Sequence, residues 1–74
     1  MLETLKEIIT MYADIDPDEI NENSSLRSDL GLNSLVLRNM IVEVEDHYDI
    51  EIPEEDIMNF DTIGDVIEYL ENAI

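Results

Sequence analysis

Leu2, Leu5, Ile9 and Tyr12 recur at spacings of three and four, with Ile8 beside them and Glu3, Lys6 and Glu7 elsewhere on the wheel. Apolar residues at that interval line one stripe of a 3.6-residue helix, so the pattern predicts a first helix over residues 2 to 13. From 14 to 33 the periodicity gives way to Asp, Asn, Ser and Pro, while Ile15, Ile20, Leu26, Leu30 and Leu32 persist at intervals. This reads as a long loop pinned to the core by apolar anchors, with a short helical turn where Asp16-Pro17-Asp18-Glu19 places a cap before proline. Leu37, Ile41, Val44 and Tyr48 then step by four, three and four along a second helix from 35 to 48.

Ile52-Pro53-Glu54-Glu55-Asp56 is another helix start, and Asn59 and Asp61 limit that third helix to a turn or two. Thr62-Ile63-Gly64-Asp65 has the spacing of a capping box and opens a fourth helix, whose stripe of Ile63, Ile67, Leu70 and Ile74 runs to the end. Ile50-Glu51-Ile52 is too short to build a sheet. Met40 and Met58 read as gap-filling core side chains. The expectation is an all-α four-helix bundle: three main helices, a short third one, and a long loop between helices one and two.

Seventy-four residues are expected to form one domain over 1–74, with a stability of about 3–5 kcal/mol. Twenty acidic residues against Lys6, Arg27 and Arg38 give a formal net charge of -17. That charge argues against nucleic acid and anionic membranes and for partners with basic patches. Hydrophobic residues at 45% are too plentiful for a disordered acidic chain. With no cysteine, neither a disulfide framework nor a thiolate chemistry of the chain's own is available. The N-terminus lacks the basic start and apolar run of a signal peptide, and no stretch is apolar enough to span a membrane, so a cytoplasmic, monomeric protein is expected.

Candidate chemistry centres on Gly31-Leu32-Asn33-Ser34-Leu35, where a serine follows a cap-type residue at the start of the second helix. Taken alone, that serine is a helix cap. On the same helix, Leu35 and Val42 fall opposite the apolar stripe, among Arg38, Asn39 and Asp46, with Val36 on the flank and Glu43 and Glu45 near. Aliphatic side chains ringed by acids suit a docking surface with an apolar centre and an acidic rim, although scattered surface aliphatics are also ordinary. Asp14-Ile15-Asp16-Pro17-Asp18 begins like a calcium-binding EF-hand loop, but Glu19 and Ser25 stand where glycine and the closing glutamate are required, so no metal site is expected.

Four stretches in order, Asp29-Leu30-Gly31-Leu32-Asn33-Ser34-Leu35, Glu43-Val44-Glu45-Asp46-His47-Tyr48, Glu51-Ile52-Pro53-Glu54-Glu55 and Thr62-Ile63-Gly64-Asp65-Val66, resemble the acyl carrier protein family over nearly the whole chain. The resemblance implies the small helical bundle of that family. It implies 4'-phosphopantetheine, donated from coenzyme A and joined to Ser34, whose thiol holds acyl groups as thioesters for biosynthetic enzymes of a lipid, envelope-glycolipid or polyketide-type pathway. The partners implied are a phosphopantetheinyl transferase, acyl-loading enzymes, synthases and acyltransferases, docking on Asn33, Leu35, Val36, Arg38, Asn39, Val42, Glu43, Glu45 and Asp46. The carrier is a substrate of enzymes and has no catalytic residues of its own: Ser34 has no neighbouring base, and His47 lies towards the far end of the same helix.

The family's aspartate before the serine is Asn33 here, Asn39 stands at an often acidic position, and Arg38 brings a positive charge to a usually apolar one. These departures point to a specialised member rather than a housekeeping one. An aminoacyl or peptidyl carrier, and an acidic interaction module with no covalent arm, are the alternatives from the sequence.

Overall fold

A computed structural model describes residues 1–74, which form four helices: α1 (Leu2–Tyr12), α2 (Ser34–Tyr48), α3 (Glu54–Asn59) and α4 (Ile63–Ala73). A single 3-10 turn, Pro17–Glu19, lies in the long connection between α1 and α2. Its cap is Asp16, whose Oδ1 accepts a hydrogen bond from the Asp18 amide at 2.9 Å. Of the alternating acids in that segment, Asp16 serves the turn.

Seventeen apolar side chains make one core. α1 contributes Leu5, Ile8 and Ile9, α2 contributes Leu37, Met40, Ile41 and Val44, and α4 contributes Ile63, Val66, Ile67 and Leu70. α1 packs against both α2 and α4. Ile20, Leu26, Leu30 and Leu32 of the long connection are buried in the same core, and Ile15 is half-buried. These anchors hold an otherwise polar loop in place, since each buried aliphatic side chain is worth about 1.5–3 kcal/mol against exposure.

The loop is also stitched to the start of α4 through its backbone. Leu26 donates to the Asp61 carbonyl at 2.8 Å, Ile63 to that of Ser24 at 3.1 Å, and Gly64 to that of Glu22 at 2.8 Å. A Cβ on Gly64 would stand 3.1 Å from the Glu22 oxygen, so close approach of two backbones selects glycine there. The one buried polar residue, Ser24, accepts from the Asn21 amide at 3.0 Å. α4 opens with the expected capping box. Thr62 Oγ1 accepts from the Asp65 amide, and Asp65 Oδ2 accepts from the amides of Thr62 at 3.0 Å and Asp61 at 2.9 Å. Those two backbone donors hold the Asp65 carboxyl below the usual aspartate range.

The structure corrects the sequence-based reading in several places. α1 stops at Tyr12, because Ala13 is already extended at φ −139°. α2 begins one residue earlier than expected, at Ser34. On α4, Val66 is buried and Ile74 is 61% exposed, past the last helical residue, so the buried face is broader than a single stripe and ends one position short. Met40 fills the core as expected, whereas Met58 is 70% exposed because the short α3 buries none of its residues fully.

Candidate functional site

The approach to α2 is built around Gly31, whose φ of +66° lies in the left-handed region. A Cβ there would meet nothing within 4 Å, so backbone conformation rather than space demands glycine. Buried Leu30 and Leu32 anchor the turn on either side, and Leu32 donates to the Leu26 carbonyl at 3.0 Å. This arrangement delivers Asn33 to the N-cap of α2, where its Oδ1 accepts from the Val36 amide at 2.9 Å. Capping therefore belongs to Asn33. Ser34, the first helical residue, is exposed and has no capping task.

Beside Ser34 lies a cleft of about 210 Å³, lined by Arg27, Ser34, Leu37, Arg38, Glu54, Ile57 and Met58. Leu37 and Ile57 form the more sheltered part of its lining, while Arg27, Arg38, Glu54 and Met58 are exposed. Arg38 and Glu54 form an ion pair that ties α2 to α3 across this cleft. Of the cleft residues, the sequence singles out Ser34 and Arg38 for the site and assigns Leu37 and Met58 to the core, and it gives no site role to Arg27, Glu54 or Ile57. The available signal was the scarcity of cations: Arg27 is one of only three.

Leu35 is 69% and Val42 49% exposed, and Arg38, Asn39 and Asp46 are exposed with them. Val36 is half-buried on the flank and packs partly against the core. Two of the expected docking acids are turned to internal use. Glu43 accepts from the Tyr12 hydroxyl at 3.2 Å, and Glu45 Oε2 accepts from the Ile52 amide at 2.8 Å. Both lie on the borders of the buried face, where a helical step of 100° per residue carries them towards α1 and the α2–α3 connection. Leu35, Asn39, Val42 and Asp46 are the exposed side chains of that face without an internal partner, Arg38 is exposed but paired with Glu54, and Asn33 and Ser34 stand at the start of the helix. Partial burial and the contact with Glu43 raise the Tyr12 phenol above its ordinary pKa.

His47 is exposed in the last turn of α2. Thirteen residues of helix separate it from Ser34, about 20 Å at 1.5 Å per residue, which is far outside proton-transfer reach. No helix is long and apolar enough to cross a membrane.

Residues 3–70 match the family model described as "Phosphopantetheine attachment site". An acyl carrier protein of Clostridium perfringens (strain SM101 / Type A) is 41% identical over 70 residues, covering 95% of this chain and 92% of that protein. Among solved structures, a candidate acyl carrier protein from Mycobacterium tuberculosis superposes with a TM-score of 0.89 at 34% identity, over 99% of this chain and 97% of the other. An acyl carrier protein from Enterococcus faecalis, described for its high thermal stability, superposes with a TM-score of 0.81 at 27% identity, over 96% and 90% of the two chains.

Proposed function

We propose, on the premise that this chain belongs to the acyl carrier protein family, that Ser34 is the residue that bears its 4'-phosphopantetheine. The family works as a carrier rather than an enzyme, with that prosthetic group, and is served by a phosphopantetheinyl transferase and acyl-handling enzymes. When bound, the group supplies the thiol that this cysteine-free chain lacks and on which an acyl group is held as a thioester.

The observation that carries the assignment is the division of labour between Asn33 and Ser34. Because Asn33 satisfies the Val36 amide, the Ser34 hydroxyl is not engaged as a helix cap and stands exposed on the first turn. The surroundings fit a phosphodiester. The start of α2 offers the positive end of a helix dipole, no acid occupies that first turn, and Arg27 and Arg38 stand at the adjoining cleft. Asn33 orients the helix start, Leu35 and Val42 give partner enzymes an apolar centre, and Asp46 with the surrounding acids meets their basic patches.

We further read residues 1–74 as one monomeric, cytoplasmic carrier unit dedicated to a specialised lipid, envelope-glycolipid or polyketide-type pathway. The support is the substitution pattern on the docking face: Asn33 before the serine, Asn39 and Arg38 where a housekeeping carrier presents acidic or apolar groups. The deciding experiment is intact-mass measurement of the parent and Ser34→Ala after incubation with coenzyme A, magnesium and a broad-specificity transferase. The parent gains one phosphopantetheine and Ser34→Ala gains none. Modification of both proteins, or of neither with any transferase of the source organism, refutes the assignment.

A further inference from the structure

Only three basic side chains serve a chain with twenty acids, yet two of them, Arg27 and Arg38, line the single small cleft beside Ser34. They reach it from different elements: Arg27 from the turn that precedes Gly31, Arg38 from α2. Arg38 stands four residues beyond Ser34, and residues at that interval on a helix are surface neighbours with Cβ atoms about 5–6 Å apart. Arg38 pairs with Glu54, whereas no carboxylate lies within ion-pair distance of Arg27.

We propose that Arg27 and Arg38 hold the phosphodiester of the prosthetic arm against the cleft, and that Arg38 exchanges its Glu54 partner for that phosphodiester when the arm is attached. The proposal rests on Ser34 being the attachment residue and concerns the chain's own recognition of the group, not its transfer. A phosphodiester adds one permanent negative charge to a molecule already at -17, so an attachment point without local cations would be electrostatically costly. Guanidinium groups remain charged at every accessible pH and bind phosphate oxygens through paired N–H donors. Glu54 can surrender Arg38 because it is exposed to water in the first turn of α3, where the helix dipole still favours its charge. The exchange loosens the only salt bridge between α2 and α3, coupling arm attachment to the hold on that six-residue helix.

The test compares apo and holo forms of the parent, Arg27→Gln, Arg38→Gln, the double variant, Arg38→Lys and Glu54→Gln, with mass spectrometry establishing that each holo sample carries the group. Two quantities are read from 10 mM to 1 M sodium chloride: the 31P chemical shift of the phosphodiester and the change in Tm on conversion from apo to holo. At low salt the parent's 31P resonance is displaced from that of the double variant, Arg38→Lys falls between them, and the displacement closes near 1 M, where the Debye length is about 3 Å. Conversion raises the parent's Tm by about 2–6 °C relative to the double variant at low salt, and Glu54→Gln, which frees Arg38, enlarges that gain. Identical 31P shifts in all variants, with conversion moving every Tm equally, overturn the proposal while leaving Ser34 as the attachment residue. Absence of any mass gain in the parent overturns the Ser34 assignment itself.

Discussion

Replacing Asp65 by alanine tests how this small bundle holds its last helix. The carboxylate accepts two backbone hydrogen bonds, from Asp61 at 2.9 Å and Thr62 at 3.0 Å, at the point where the long loop is stitched to α4. Hydrogen bonds to a charged acceptor are worth about 1.5–3 kcal/mol each when sheltered. Asp65 is half-buried and its carboxylate meets water, so screening brings the pair down to about 1–2 kcal/mol, in line with the usual loss on removing a helix cap. For a domain of this size that is a fall in Tm of about 5–12 °C, a large part of a total stability of about 3–5 kcal/mol.

The same bonds give the loss a pH signature. Asp65's folded pKa lies below its unfolded value of about 3.9, so its contribution is complete above that value and disappears as pH falls through the folded pKa. Thermal melts followed by circular dichroism from pH 7 to pH 3 should therefore show a constant gap between parent and Asp65→Ala down to about pH 5, then a narrowing gap. The other nineteen carboxylates are common to both proteins and cancel in the difference. A gap that persists unchanged while both proteins still melt cooperatively at the acid end, or no gap at pH 7, refutes the reasoning.

Asp49 closes α2 in the left-handed region at φ 55°, a conformation that glycine adopts without steric cost, so Asp49→Gly should stabilise by about 0.5–1 kcal/mol, read as a higher urea midpoint at unchanged m. Leu35→Asp and Val42→Asp change exposed positions and should leave stability within about 0.5 kcal/mol, while slowing acyl transfer from partner enzymes at least about tenfold in kcat/KM. Asn33→Asp with Asn39→Glu should restore the acidic face of a housekeeping carrier and raise the rate of elongation by a housekeeping fatty acid synthase; an unchanged rate counts against a specialised docking face.

The helices and most of the core are legible in the sequence, because binary periodicity and cap residues are local signals. Leu5, Ile9, Leu37, Ile41, Val44, Ile63 and Leu70 all lie on the stripes their spacing predicts and are all buried. Thr62 and Asp65 announced their capping box by residue type at a fixed interval, and the order of motifs around Ser34 was enough to mark the family. The anchors of the long connection were legible too, as isolated aliphatics in a polar run.

Features that depend on which elements meet emerge only from the packing of the helices. Val66 is buried and Ile74 is not, since the width and end of α4's inner face are set by its neighbours rather than by its own period. Helical periodicity puts Glu43 and Glu45 near the expected docking face, and the fold decides that their carboxylates also accept from the Tyr12 hydroxyl, far away in sequence, and from the Ile52 amide just beyond α2. The cleft beside Ser34 joins Arg27, Arg38, Glu54 and Ile57, which span thirty positions of chain, a juxtaposition no spacing rule encodes. Helical spacing can set Arg38 one turn from an exposed serine; only packing brings Arg27 and the α3 side chain of Glu54 to the same cleft.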